Sequence, residues 1–269
     1  MNKLFLWISL LLAGVVSAQA QTNAVRLADS LWTAANDQYA AGAYDQALAT
    51  YERIEKSGVE SVALYHNMGN TYFKLQYVAS AILYYERALL LDPMNADVLY
   101  NLSIAQEQCI DTIEPVPSFF LADWVRNLRQ SLSSDAWGWI TLGLLAAGLL
   151  FMLLFYFARN IGFRKVSFVL ATLLFVLMCV CVVFSWQNRH YAQHNNAAIV
   201  FAAVSSVKSS PDAQGKDLLV IHEGTKVLVL ETVGSWARIE LLDGRQGWIA
   251  LSEINFVHLR TQNSSQDGL

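Results

Sequence analysis

The chain has 269 residues, with 18 Lys and Arg against 22 Asp and Glu and a formal net charge of −4. This balance gives no basic face for nucleic acid, so none is expected as a partner. The three cysteines form no CxxC and no Cys/His zinc spacing, which excludes a disulfide framework and leaves no metal or cofactor signal. The 55 % hydrophobic content comes largely from the N-terminus and two long apolar runs.

Lys3 precedes an apolar stretch, Leu4–Val16, and Ser17-Ala18-Gln19-Ala20 succeeds it. A short basic region, an apolar core and an A-x-A site read as a signal peptide over residues 1–20. Cleavage is expected after Ala20, with Ala18 or a retained span as alternatives. The chain beyond this segment is then exported.

Residues 24–108 repeat at a shift of 34. Tyr51-Glu52-Arg53 recurs as Tyr85-Glu86-Arg87, Ala47 as Ala81 and Asn67 as Asn101. Tyr65, Met68, Gly69, Tyr72, Ala81, Tyr85, Ala88 and Pro93 fall on signature positions, and the segment resembles a tetratricopeptide repeat. A weaker copy carries Leu31, Gly42, Tyr44, Ala47 and Tyr51 but departs at Ala35 and Gln38. The resemblance implies an all-α array of about five helices, the last a cap over residues 96–108. Gly69 and Ala81 allow close helix approach, and Pro93 prevents continuation of the preceding helix. The resemblance further implies a concave partner-binding groove, lined by Trp32, Asn36, Tyr39, His66, Asn67, Asn70, Phe73, Tyr100 and Asn101. Asp97 and Asn101 stand where a carboxylate clamp would want cations, so no such clamp is expected. Packing of the array is the alternative role for each of these residues.

Residues 109–135 begin with Pro115 and Pro117, which break helical structure. Phe120, Leu121, Trp124, Val125, Leu128 and Leu132 then recur at helical spacing. Two readings stand: an amphipathic helix on the membrane surface, or a helix docking the repeat domain.

The runs Trp137–Ala158 and Val166–Trp186 contain no Asp, Glu, Lys, Arg or His. Each meets the length of about 20 residues that a bilayer core requires. A two-helix transmembrane hairpin is expected, with spans over 136–158 and 166–186. The link 159–165 carries Arg159, Arg164 and Lys165 without an acid, so it is expected to face the cytoplasm. Without ionisable groups at membrane depth, the hairpin reads as an anchor rather than a transport pathway.

A polar linker, 187–196, leads to residues 197–258, where the pattern alternates. Strands are expected at Val204–Val207, Leu218–His222, Thr225–Leu230, Ser235–Leu241 and Gln246–Ala250, with Asp243-Gly244 as a hairpin turn. The phrases His222-Glu-Gly-Thr-Lys-Val227, Gly234-Ser-Trp236 and Asp243-Gly-Arg-Gln-Gly-Trp248 resemble a bacterial SH3-type domain, a small all-β barrel. Trp236 and Trp248 are expected to pack in the core, or else to border a ligand groove. Residues 259–269 read as a disordered tail.

No nucleophile elbow, phosphate loop, HExxH or paired-carboxylate motif occurs. His190 and His194 are four apart but have no third ligand. No enzyme is therefore expected, with neither a catalytic nor a metal site. The order of parts resembles the exported membrane proteins of the Bacteroides aerotolerance (Bat) group. That resemblance implies a multidomain protein of the bacterial inner membrane, with repeat and SH3-type domains in the periplasm. It implies a non-enzymatic scaffold acting with other Bat proteins and a MoxR-type ATPase in envelope stress. Peptidoglycan binding through the SH3-type domain, as a sensor or anchor, is the alternative.

Overall fold

The computed structural model describes residues 29–113, 120–193 and 195–258. The expected signal peptide, Pro115, Pro117, His194 and the C-terminal tail lie outside the described residues.

Five helices open the described chain: α1 over residues 29–40, α2 Tyr44–Lys56, α3 Val62–Lys74, α4 Val78–Leu91 and α5 Ala96–Gln106. Side-chain capping marks the starts of α3 and α5. The Ser61 hydroxyl accepts from Leu64 N–H, and the Asn95 side chain accepts from Val98 N–H. Each satisfies a backbone donor that has no partner within its helix. Pro93 comes just after the end of α4. Tyr51, Tyr65, Leu64, Met68, Ile82 and Tyr85 are fully buried between the helices. The closest approach is at Gly69, where a Cβ would stand 2.5 Å from the Tyr85 ring.

α6 (Phe120–Gln130) leads into two long apolar helices, α7 (Ser134–Phe157) and α8 (Ile161–Gln193). Both are long and apolar enough to cross a membrane. They pack antiparallel along a heptad-spaced seam on α8. Ser167, Ala171, Cys181 and Asn188 are buried in it, with Leu174, Met178 and Ser185 half-buried between them. Spacing of alternately three and four residues keeps one face on the partner helix. Gly148 lets Phe175 approach, and at the open end Ser134 and Ser185 exchange hydroxyl-to-carbonyl bonds of 3.0 and 2.9 Å.

The connection between these helices is shorter than the expected link. Asn160 caps α8 by accepting from Gly162 N–H at 2.8 Å, so Arg164 and Lys165 lie within the helix. α8 also runs to Gln193, through most of the expected 187–196 linker. The Asn188 amide donates to the carbonyls of Arg129 and Leu132, and Ala192 packs into the repeat core. These contacts hold the last turns helical.

The C-terminal region is a seven-stranded antiparallel sheet. Its strands are β1 Ala197–Val200, β2 Val204–Lys208, β3 Asp217–His222, β4 Lys226–Val233, β5 Trp236–Leu241, β6 Gln246–Ala250 and β7 Ile254–Phe256. They lie in the order β3-β2-β6-β5-β4-β1-β7. Val207, Ile221, Val227, Ile239 and Ile249 fill its inner face. Gly244, at φ +84°, makes the β5–β6 turn that Asp243-Gly244 signals.

β1 was not legible as a strand, because it does not alternate. Its residues are all buried. Ala198 and Val200 join the sheet core, while Ala197 and Ile199 join the repeat core. A strand covered on both faces reads as a continuous apolar run.

Gly69→Val should destabilise the repeat region by about 1–3 kcal/mol, because the Tyr85 ring has nowhere to retreat. Thermal unfolding of the full chain in detergent, monitored by helical circular dichroism, checks this.

Candidate partner-binding surfaces

α1, α3 and α5 carry every residue expected in the groove. The amides there do a common job. Tyr51 Oη donates to Asn36 Oδ1 at 2.6 Å, and Asn67 Nδ2 donates to the same oxygen at 3.0 Å. Shifted by one repeat, Tyr85 Oη donates to Asn70 Oδ1 at 2.8 Å, and Asn101 Nδ2 donates to it at 2.8 Å. The two Asn–Tyr–Asn clasps stitch α1 to α3 and α3 to α5 through tyrosines rooted in the core. Their signal was in the sequence: all three positions recur at the repeat period. Tyr51 and Tyr85 read only as signature positions of the repeat, although their hydroxyls hold the clasps.

The rings recur with the same period. Trp32 meets Tyr51 edge-on at 5.8 Å between centroids, and His66 meets Tyr85 at 6.1 Å. Tyr100 occupies the next position and is 67 % exposed. Tyr39 and Phe73 are half-buried beside this row. Asn101 Nδ2 also bonds His66 Nε2 at 2.8 Å, which puts the ring proton on Nδ1. Burial lowers the His66 pKa despite the nearby Asp97 carboxylate, so the ring is neutral at neutral pH.

Trp236 and Trp248 are not in the core. The strand pairs are Trp236 with Ala250 and Arg238 with Trp248, and Lys208 on β2 faces Trp248 from the other side. The inward positions of β5 and β6 are taken by Ala237, Ile239 and Ile249. Both tryptophans therefore stand on the outer face, partly exposed. Strand parity decides this: small and aliphatic residues alternate with them on the buried side.

A contact between the repeats and the sheet has no counterpart in the sequence pattern. Glu86 and Arg87 of α4 both reach the sheet. Lys226 Nζ bonds Glu86 Oε2 at 2.6 Å, and Arg87 Nη2 donates to the Phe256 carbonyl at 3.4 Å. Burial would lower the Lys226 pKa, but Glu86 outweighs it and the pKa is raised. In the first repeat the equivalent Glu52 pairs with Lys56, four residues along the helix, and accepts from the Tyr72 hydroxyl at 3.4 Å, both within the repeats.

Asp111, after α5, forms the second contact. Its carboxylate accepts from His222 N–H at 2.6 Å, from the Thr225 hydroxyl at 2.7 Å and from His222 Nδ1 at 3.0 Å. Burial alone would raise the Asp111 pKa, but these bonds hold it below the ordinary carboxylate value. Between them lies Gly224, at φ +86°, where a Cβ would fall 2.4 Å from Cys109 Sγ. His222 therefore has a structural role in the loop that meets the repeat domain.

A cleft of about 910 Å³ separates the far edge of the repeats from the open end of the hairpin. It lies between the segments Glu60–Val62 and Leu90–Pro93 on one side and Gln130–Ala136 and Asn188–Ala192 on the other. Among the described residues, no group of three or more His, Cys, Asp and Glu is placed to hold a metal ion.

Residues 62–95, spanning α3, α4 and the Pro93 turn, match the tetratricopeptide repeat family. That family is a protein-interaction repeat rather than a catalytic one. No curated protein matches the chain. The helical repeat region, the two apolar helices and the antiparallel sheet are thus observed, and protein partners are what the repeat suggests.

Glu86→Gln or Lys226→Met alone should cost about 1–3 kcal/mol, because each leaves a charge at the interface without its partner. The double replacement should cost less than the sum of the two, and a double-mutant cycle on unfolding of the full chain reads the difference. The Asp111 contribution has the sign of a depressed carboxylate. It is present above the unfolded value near pH 3.9 and is lost as pH falls through the lower folded value. Asp111→Asn should flatten stability across that acid range while leaving it lower at neutral pH.

Proposed function

We propose that this chain is a non-enzymatic membrane adaptor that presents a repeat groove and a small β domain on one side of a bilayer. The row Trp32, His66 and Tyr100, flanked by Tyr39 and Phe73, carries this reading. The amides beneath each commit one group to a clasp, which holds the helices that present the rings to a partner. A peptide or partner helix with apolar anchors suits such a surface.

The membrane arrangement rests on α7 and α8. Trp139, Trp186 and Tyr191, all exposed, form an aromatic belt at their open end, while Trp137 is buried between the helices. The basic turn at the other end is assigned to the cytoplasm, and the two domains to the periplasm. α6 is assigned to the membrane surface. Leu121, Trp124, Val125 and Leu128 are exposed, and α6 is tied to the hairpin, with Trp137 Nε1 donating to the Arg129 carbonyl at 2.9 Å. The order of parts resembles BatE. That supports a setting in the inner membrane with other Bat proteins and a MoxR-type ATPase, in an envelope stress or aerotolerance complex.

The sheet is read as a bacterial SH3-type barrel, on the resemblance of the phrases around Val227, Trp236 and Trp248. A second reading, peptidoglycan binding by a sensor or anchor, is favoured by one observation: Trp236 and Trp248 stand outside the core beside Arg238 and Lys208.

A photo-crosslinking residue at Tyr100 should trap a discrete protein partner in cells, while one at the exposed Tyr77, outside the row, should not. Trp32→Ala with Phe73→Ala should abolish the crosslink while the protein stays folded and inserted. Equal trapping at both positions, or trapping that survives the double variant, would remove the groove from the mechanism. Under the second reading, Trp236→Ala and Trp248→Ala should release the purified chain from peptidoglycan sacculi.

A further inference from the structure

The α7–α8 turn carries chemistry that an inert anchor does not need. Phe155, Ile161, Arg164, Lys165 and Phe168 line an open pocket of about 320 Å³. The Arg164 guanidinium lies over the Phe155 ring at 5.2 Å, and Phe155 meets Phe168 at 5.5 Å between centroids. Neither Arg164 nor Lys165 forms a side-chain hydrogen bond or an ion pair with another described residue, and Arg159 adds a third cation two residues before the helix. Phe168 lies one helical turn beyond Arg164, about 6 Å farther along the axis. Positive charge therefore stands at the end of the hairpin, with apolar rings one turn deeper.

This gradient along the helix axis matches one ligand class. A free anion would use the cations but not the rings, and an apolar ligand would use only the rings. A phospholipid uses both: its phosphate meets Arg164 and Lys165, and the upper part of an acyl chain lies along Phe155 and Phe168. Arginine is weakly hydrated and stacks on aromatic faces, which suits a phosphate held at a lipid boundary. We infer that the α7–α8 turn is a binding site for an anionic glycerophospholipid of the leaflet on that side of the bilayer. The inference rests on the reading of α7 and α8 as membrane spans. Three cations without acids make a net anionic lipid preferable to a zwitterionic one.

Native mass spectrometry of the detergent-purified full chain tests this, with phosphatidylglycerol and phosphatidylcholine added in parallel. The expected result is retention of one phosphatidylglycerol under activation that strips phosphatidylcholine. Retention should fall about 25-fold in Arg164→Gln with Lys165→Gln, at about a fivefold loss per cation. Arg164→Lys, which keeps the charge but loses the guanidinium over the Phe155 ring, should retain more lipid than the glutamine variant and less than the unchanged chain. The turn lies far from the repeat and sheet cores, so melting of those domains without lipid should be unchanged and reports any folding fault. Equal retention of both lipids, or unchanged retention in the glutamine variant, overturns the site. Displacement by an excess of inorganic phosphate assigns the cations to a free anion and also overturns it. Alkaline carbonate extraction separates the two levels. A chain that washes off membranes overturns the spanning reading and the site together, whereas a chain that stays but prefers no lipid overturns the site alone.

Discussion

One strand ties the molecule together. β1 divides its side chains by parity, Ala198 and Val200 into the sheet and Ala197 and Ile199 into the repeats. Neither core is complete without it. It begins just after α8 ends, so the same short stretch is the exit from the apolar hairpin. Ala192, at the end of that helix, already lies in the repeat core. The hairpin, the repeats and the sheet therefore meet within about one turn of helix and one strand. A small repeat array cannot bury its apolar face alone and needs a neighbour. Here the neighbour is the sheet rather than a further repeat.

The polar contacts around β1 give that apolar junction a fixed register. Burial of alternating alanine and aliphatic side chains is non-directional and would tolerate sliding of α4 across the sheet. Glu86 with Lys226, Arg87 with the Phe256 carbonyl, and Asp111 with the His222–Thr225 turn each admit one alignment. Gly224 sets the distance, since any side chain there would meet Cys109. Breaking one such contact exposes an unpaired buried group, which costs more than the intact contact contributes. These residues thus act on specificity of docking as much as on stability.

Much of this was legible and some was not, for definable reasons. Periodicity located the repeats, because Tyr, Gly and Ala at fixed spacing are demanded by helix contact, as at Gly69 against Tyr85. It located the apolar helices, because absence of charge over such lengths has few explanations. It located β2 to β6, because alternation comes from one buried face. It missed β1, where both faces are buried and alternation vanishes. It placed the second apolar helix too short, since Asn188 and Ala192 look like linker residues until their partners on other elements are known. It favoured burial for Trp236 and Trp248, because size suggests core, while parity decides otherwise. Contacts across more than a hundred residues, such as Glu86 with Lys226, leave no local pattern in a single sequence.

The docking of the sheet also constrains where a partner binds. α4 is committed: its Glu86 and Arg87 meet the sheet, and Ile82 lies beneath Gly224. The aromatic row lies instead on α1, α3 and α5. One group of each amide is committed to a clasp, Oδ1 of Asn36 and Asn70 and Nδ2 of Asn67 and Asn101, and Lys74 is the only Lys or Arg that α3 carries. Recognition by a row of rings with so few cations beside it favours shape and apolar contact over charge. Such contact depends on the rings holding their positions, and the Asn–Tyr–Asn clasps hold the helices that carry them. Rigidity in the array then substitutes for the ion pairs that other peptide-binding surfaces use, because less side-chain and loop freedom is lost when a partner is bound.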